Sequence, residues 1–395
     1  MKKIILSLFS VITLLSVNSI GQTNNTISPY TNFLKTQSQS AKDYILNLFN
    51  DHDIVIICER LHGEMTQYEL LSSIVSDKRF IDKVGNIFME IGLSTLNPEL
   101  NTFMHTKNLS ADSVDRRIRY FQRNCSMWPA WSNKNYTYFM HALYAVNNKL
   151  PVEKAINVYP SDIPFSWKGA DSLAMIRLKG MLDIRDSIMA AQIIQQFDAI
   201  RASKDKRKKA LVIMNYRHAF NMELTFRGRT LVNVGNILFK KYGSQAANVM
   251  LNTVGFGKGD DLVALQNGKW DAAFKMVKRE DAGFNFTNSP FGKDSFDLFT
   301  FKTDYLYKDI FTGFAFYKPI EQHRVEEGIN GLVDEAYMPE LLNKLDLIVI
   351  AGGEFSRMRE FKKILESHPD MLNIEESHIY PGLDSLVSKR DSWLK

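Results

Sequence analysis

The chain predicts an α/β fold, a mostly parallel central sheet flanked by helices, with a helical insertion and a carboxyl-terminal extension. Short β-branched apolar runs alternate with longer stretches of helical spacing, the pattern of strand–helix–strand units. The run Ile54-Val55-Ile56-Ile57-Cys58 is apolar at every position, as expected of a strand buried on both faces. Four such runs also stop at polar residues, in turn Glu59 with His62, Glu90, Asp162 and His218. Ligands of open α/β sheets bind at the carboxyl ends of the strands, so parallel strands would bring these residues into one crevice.

In chain order, residues 1–21 read as a secretory signal, with Lys2 and Lys3 ahead of an apolar stretch and Ser19-Ile20-Gly21 as a small-residue cleavage site. That stretch is too short for a good membrane span, and no later run is long and apolar enough for one. The expectation is an exported protein, periplasmic or extracellular. Residues 22–40 read as a polar, loosely ordered linker, and 41–49 as a helix leading into the first strand. Residues 65–75 carry Leu70, Leu71, Ile74 and Val75 at helical spacing. A second strand is expected over 84–89, a mostly helical, aromatic-rich stretch over 96–147, and a third strand over 152–159. A helix follows from Asp171, then a fourth strand over 210–214 and a further one over 249–254. Residues 255–288 read as a loop-rich insertion, 311–317 and 345–351 as later strands, and 361–366 as helix. The expected division is a signal peptide (1–21), a linker (22–40), a core (41–255) and a carboxyl-terminal part completing the same domain (256–395).

The 395 residues are 45% hydrophobic, ample for a sizeable core. Of the formal charge of +5, two units sit on Lys2 and Lys3, and nothing in the remainder demands nucleic acid. The basic run 204–209 is broken by Asp205 and reads as a solvated loop. Two cysteines, Cys58 and Cys125, do not make a disulfide scaffold, and Cys58 reads as a small buried hydrophobe. The aromatics between 120 and 139 suit core packing or an apolar substrate wall. The expected partner is a small-molecule substrate; oligomeric state is not legible.

No Gly-x-Ser-x-Gly elbow, His-Glu-x-x-His or paired Cys-x-x-Cys is present, and Gly255-Phe256-Gly257-Lys258-Gly259 lacks the spacing of a phosphate loop. What remains is a His/Glu set without a protein nucleophile, which suits activation of water. A histidine takes the proton, a carboxylate orients it, and an arginine steadies the oxyanion. On residue types alone, Glu59, His62, Glu90 and His218 serve equally as ligands for Mn²⁺, Zn²⁺ or Fe. Arg60 and Asp162, beside these strand ends, are candidate substrate-binding residues.

Cys58-Glu59-Arg60-Leu61-His62-Gly63 resembles the Gly-Glu-x-x-His-Gly signature of erythromycin esterase-like proteins. Met89-Glu90, Arg185-Asp186-x-x-Met189-Ala190 and the strand ending at His218 follow in that family's order, so the resemblance covers about residues 51–219. It implies an α/β fold with a deep cleft and hydrolysis of a cyclic ester by water, with no required cofactor. Carried over, His62 is the general base, Glu59 and Glu90 orient it, Arg185 binds the carbonyl or oxyanion, and His218 assists. Cys58 stands where the family has glycine, Leu61 where it has a small hydroxyl residue, and Asn215-Tyr216-Arg217 also differs. Macrolide turnover is therefore not carried over. Similar folds include haem-uptake proteins and metal-dependent proteases, which leaves haem or a divalent metal as the alternative cofactor.

Overall fold

The computed structural model describes residues 23–226, 229–257, 261–298 and 304–395. The segment read as a signal peptide lies outside them, as do Lys258 and Gly259. Seven strands form the main sheet: β1 (Ile54–Glu59), β2 (Asn86–Leu93), β3 (Asn157–Asp162), β4 (Ala210–Asn215), β5 (Ala246–Leu251), β6 (Asp281–Asn285) and β7 (Gly313–Tyr317). Their order is β6-β7-β5-β1-β4-β2-β3, and every pairing is parallel except β6 with β7. The expected α/β class, mostly parallel and flanked by helices, is the observed one.

β1 lies at the centre, and its apolar run serves two cores. Ile54, Ile56 and Cys58 face one hydrophobic cluster, Val55 and Ile57 the other. The period-two alternation of a strand therefore leaves no polar position in a sheet covered on both sides. Helices α1 (Thr23–Thr36), α2 (Ala41–Leu48), α3 (Thr66–Val75), α4 (Asn97–His105), α5 (Ala111–Asn124) and α6 (Lys134–Lys149) are followed by α7 (Ser172–Leu182) and α8 (Arg185–Ala202). Beyond the sheet come α9 (Met338–Ile348) and α10 (Met358–Ser367). These two, with α7 and the segment around Phe165 and Trp167, enclose a third cluster that includes Leu93, Met127, Leu341, Leu345 and Phe355.

Several expectations are corrected. The segment read as a loose linker contains α1, whose Tyr30 and Leu34 are buried in the first cluster and whose Ile27 is also buried. Apolar residues only three or four apart were enough to anchor a helix of otherwise polar composition. The third strand starts later than expected, because residues 152–154 form a 3₁₀ turn with Val152 exposed. Residues 345–351 are helical rather than a strand. Leu341, Leu345 and Ile348, spaced by four and three, bury one face of α9. The stretch 255–288, read as loop-rich, supplies a helix (Lys269–Met276) and β6.

β2 is longer than its apolar run and carries Glu90 inside it. Its ladder with β3 runs in register through Met89 opposite Pro160, then resumes only with Leu93 opposite Asp162. Pro160 has no N–H to give the ladder and lies on an edge strand, where proline is tolerated. Gly92 takes φ +144°, and a Cβ there would lie 2.7 Å from the Pro160 side chain. Bulges re-aim side chains beside active sites, and this one surrounds Glu90.

Candidate active site

The parallel ladder brings the predicted residues together. Glu59 is the last residue of β1, opposite Asn215 of β4. His62 follows in the turn that leads to α3. A Cβ on Gly63 would lie 2.8 Å from Asn133 Oδ1 and 2.9 Å from Val325, so the turn passes too close to its neighbours for a side chain. Asn135 Nδ2 donates to the His62 carbonyl and fixes the turn further.

Glu59 is buried and bonds the His62 ring, with Nδ1 to Oε2 at 2.9 Å, while Tyr68 Oη donates to its other oxygen at 2.5 Å. The far ring nitrogen, Nε2, faces Glu90 Oε1 at 3.7 Å, and the His62 side chain is 32% exposed, the accessible member of the set. Glu90 is the hub. Its Oε2 accepts the Asn215 backbone N–H at 2.8 Å. Its Oε1 is met by Arg185 Nη2 at 3.2 Å and His218 Nε2 at 3.3 Å. His218, in the 3₁₀ turn after β4, is held on its other nitrogen by Asp186 at 2.8 and 2.9 Å. Arg185 opens α8 and is gripped by Asp162 through Nε at 2.8 Å and Nη2 at 3.0 Å.

These contacts set the charges. Burial pushes the Glu59 carboxyl upward, only partly offset by His62 and Tyr68. Burial also disfavours charge on Glu90, but His218, His62 and Arg185 outweigh it and hold that carboxyl well below its usual range. For His62, burial works against the imidazolium while Glu90 and Glu59 favour it, and the balance lies above the ordinary 6.5. In His218 the same opposition, with Glu90 and Asp186 prevailing over burial, pushes the imidazole up to about 10. His218 is thus a fixed cation at neutral pH, whereas His62 is the imidazole able to change state.

His62, Glu90, Arg185 and Asp162 line a cleft of about 580 Å³. Trp131 stands edge-on to the His62 ring with centroids 5.7 Å apart, and Trp128 closes the same wall. Phe121, Tyr136 and Phe139 are core residues instead, so the aromatic stretch serves both purposes. Residues 351–355 and Arg357, between α9 and α10, also line the cleft.

Arg60 departs from its expected role. It is fully buried and does not line the cleft. All five of its guanidinium N–H groups are used, by the Asn252 carbonyl and side chain, Glu64, Thr66 and the Tyr317 carbonyl. It ties the turn after β1 to the ends of β5 and β7, and no donor remains for substrate. Glu64 completes the pair and caps α3 through the backbone N–H groups of Thr66 and Gln67. Asp162 lines the cleft, but with both oxygens on Arg185 it positions that residue. The sequence did not mark Asp186, Tyr68 or Asn215 as site residues. Asp186 had a signal, standing beside Arg185 in the Arg185-Asp186-x-x-Met189-Ala190 stretch; Tyr68 had none, since an aromatic on an amphipathic helix reads as core.

Cys58 and Cys125 are both free and buried, Cys58 in the first core as its apolar neighbours imply and Cys125 in the second. No helix among the described residues is long and apolar enough to cross a membrane.

No family model matches the chain, and no curated protein matches it. Among solved structures it is similar to a succinoglycan biosynthesis protein, with a TM-score of 0.51 at 9% identity over 75% of this chain and 97% of that one. It is also similar to an erythromycin esterase mutant in its open conformation, with a TM-score of 0.41 at 10% identity over 74% and 95% of the two chains. A protein from Bacillus cereus gives 0.43 at 11% identity over 75% and 97%. At such identities the first likeness shows a shared fold and nothing of the chemistry, and the lower scores of the other two carry no argument.

Proposed function

We propose that the chain is a hydrolase in which His62 activates water for attack on an ester or related carbonyl. The observation that carries this reading is the pairing of His62, one nitrogen held by buried Glu59 and the other directed at Glu90 in an open cleft. Water at Nε2 gives its proton to the imidazole as its oxygen bonds to the carbonyl carbon. Glu59 accepts the Nδ1 hydrogen and offsets the imidazolium. Arg185 Nη1, which bonds none of the carboxylates holding the rest of the guanidinium, is available to the developing oxyanion. Collapse of the tetrahedral species breaks the carbon–oxygen bond, and the leaving alkoxide takes the proton back from His62. His218, locked between two carboxylates, supplies fixed positive charge. In this reading the chain acts after export, as residues 1–21 imply.

The test is a panel of esters and lactones with the wild type and His62→Ala. Because the His62 side chain is partly exposed, the variant keeps its melting curve and loses about 10²–10⁴-fold in turnover. Unchanged turnover in a folded variant overturns the proposal.

By spacing, Glu59, His62 and Glu90 also offer one donor atom each within 4.8 Å of one another. By charge they fit a divalent cation poorly. Glu90 Oε1 already faces the cationic Arg185 and His218, and an added ion would meet both as like charges. A haem would need an imidazole nitrogen facing an apolar slot, whereas His62 Nε2 faces a carboxylate. Elemental analysis of the purified protein checks this: one equivalent of metal, lost in Glu59→Ala, would favour the metal.

A further inference from the structure

Trp128, Trp131 and Arg357 line the reactive cleft and also a second depression of about 620 Å³. The two compartments differ in character. The first holds His62, Glu90 and Arg185; the second is walled mainly by Leu341, Phe361, Ile364 and Leu372, with Glu327 and Glu360 also in its lining. The ridge between them is built from fixed parts. Trp128 packs against Phe355 with centroids 4.7 Å apart and lies under the Arg357 guanidinium at 5.0 Å, while Trp131 reaches the His62 ring. On the far wall Ile364 is 42% exposed, leaving apolar surface open to water beside a charged site.

We propose that this second depression is an acyl subsite, and that the substrate is an ester of a medium- or long-chain carboxylic acid. Its carbonyl faces His62 and Arg185, and its hydrocarbon chain passes over Trp131 and Trp128 to lie against Phe361 and Ile364. Continuity with the reactive cleft through three shared residues makes the substrate's own chain the occupant. The ester assignment rests on the hydrolytic reading of His62; the affinity of the depression for hydrocarbon does not. Burial of each further methylene gives about a fourfold gain in kcat/KM until the depression is filled.

The experiment uses the full chain and two matched series. One is p-nitrophenyl esters of increasing acyl length from the acetate upward. The other is methyl ketones of the same lengths, which are not hydrolysed, followed by tryptophan fluorescence. Ile364→Glu places a charge in the depression at an exposed position, and Phe361→Ala removes apolar surface. The expected result is that kcat/KM and ketone affinity rise with chain length in the wild type and flatten in both variants. Acetate hydrolysis that depends on His62 but shows no length dependence in either series overturns the acyl subsite and spares the hydrolase. Ketone affinity that rises with length and is lost in Ile364→Glu, without hydrolysis of any ester, supports the apolar subsite and overturns the ester. Self-association relieved by Ile364→Glu, with flat ketone binding, assigns the depression to a second copy and overturns the proposal.

Discussion

His62 and His218 approach the same oxygen of Glu90 from different elements, with opposite consequences. His62 acts as a base only when neutral, and its elevated pKa places that state at higher pH. The rising limb of kcat/KM therefore lies above the ordinary 6.5, and Glu90→Gln, by removing the leading favourable charge, moves it down. A pH–rate profile of both proteins measures this, and a limb that does not move in the variant argues against Glu90 as the cause. His218 is read through stability. Its folded pKa of about 10 exceeds the ordinary 6.5, so its contribution is full below 6.5 and is lost as pH rises toward 10. Thermal melts across that window should fall more steeply in the wild type than in His218→Asn. The sequence exposed both histidines as polar ends to apolar runs. It could not assign their different charges, which depend on Glu59, Glu90 and Asp186, brought together from three separate elements.

At the scale of elements, the turn after β1 divides its charged residues between two tasks. His62 faces the cleft with Glu59 buried behind it, while Arg60 and Glu64 form a fully buried pair. Removing one partner of such a pair leaves an uncompensated buried charge, so Arg60→Met should cost about 3–5 kcal/mol of stability. Denaturant unfolding measures it, and a loss under about 1 kcal/mol would show that the guanidinium network is dispensable. Strand existence was legible wherever a run was apolar throughout, as in β1 and β4. The carboxyl half of β2 was not, because Glu90 and Gly92 belong to a bulge fixed by Pro160 on another strand. Nor was α9, whose apolar residues crowd at its end and imitate a buried strand.

Among the described residues the three largest hydrophobic clusters lie two on the faces of the sheet and one beyond it, around α7, α9 and α10, and a smaller fourth gathers Val254, Ile320, Tyr380 and Leu386. Cys58 and Cys125 belong to the first two, and burial raises both thiols far from reactivity. A thiol reagent should label neither in the native protein and both in denaturant. Rapid labelling of one without unfolding would reveal local opening of the core that holds it. The long-range layout was the least legible level. Part of the cleft that holds His62 is lined by residues 351–355 and Arg357, far along the chain, and no local pattern announces that encounter.

That separation bears on how such a molecule could diversify. The reacting groups stand on strand ends and at the start of α8, braced by buried ion pairs. Arg357, Phe361 and Ile364 belong to a stretch that contributes none of them. Inheritance can therefore act on the two regions independently. Changes in the later stretch would alter which molecules are accepted, while the earlier one preserves the reaction performed on them.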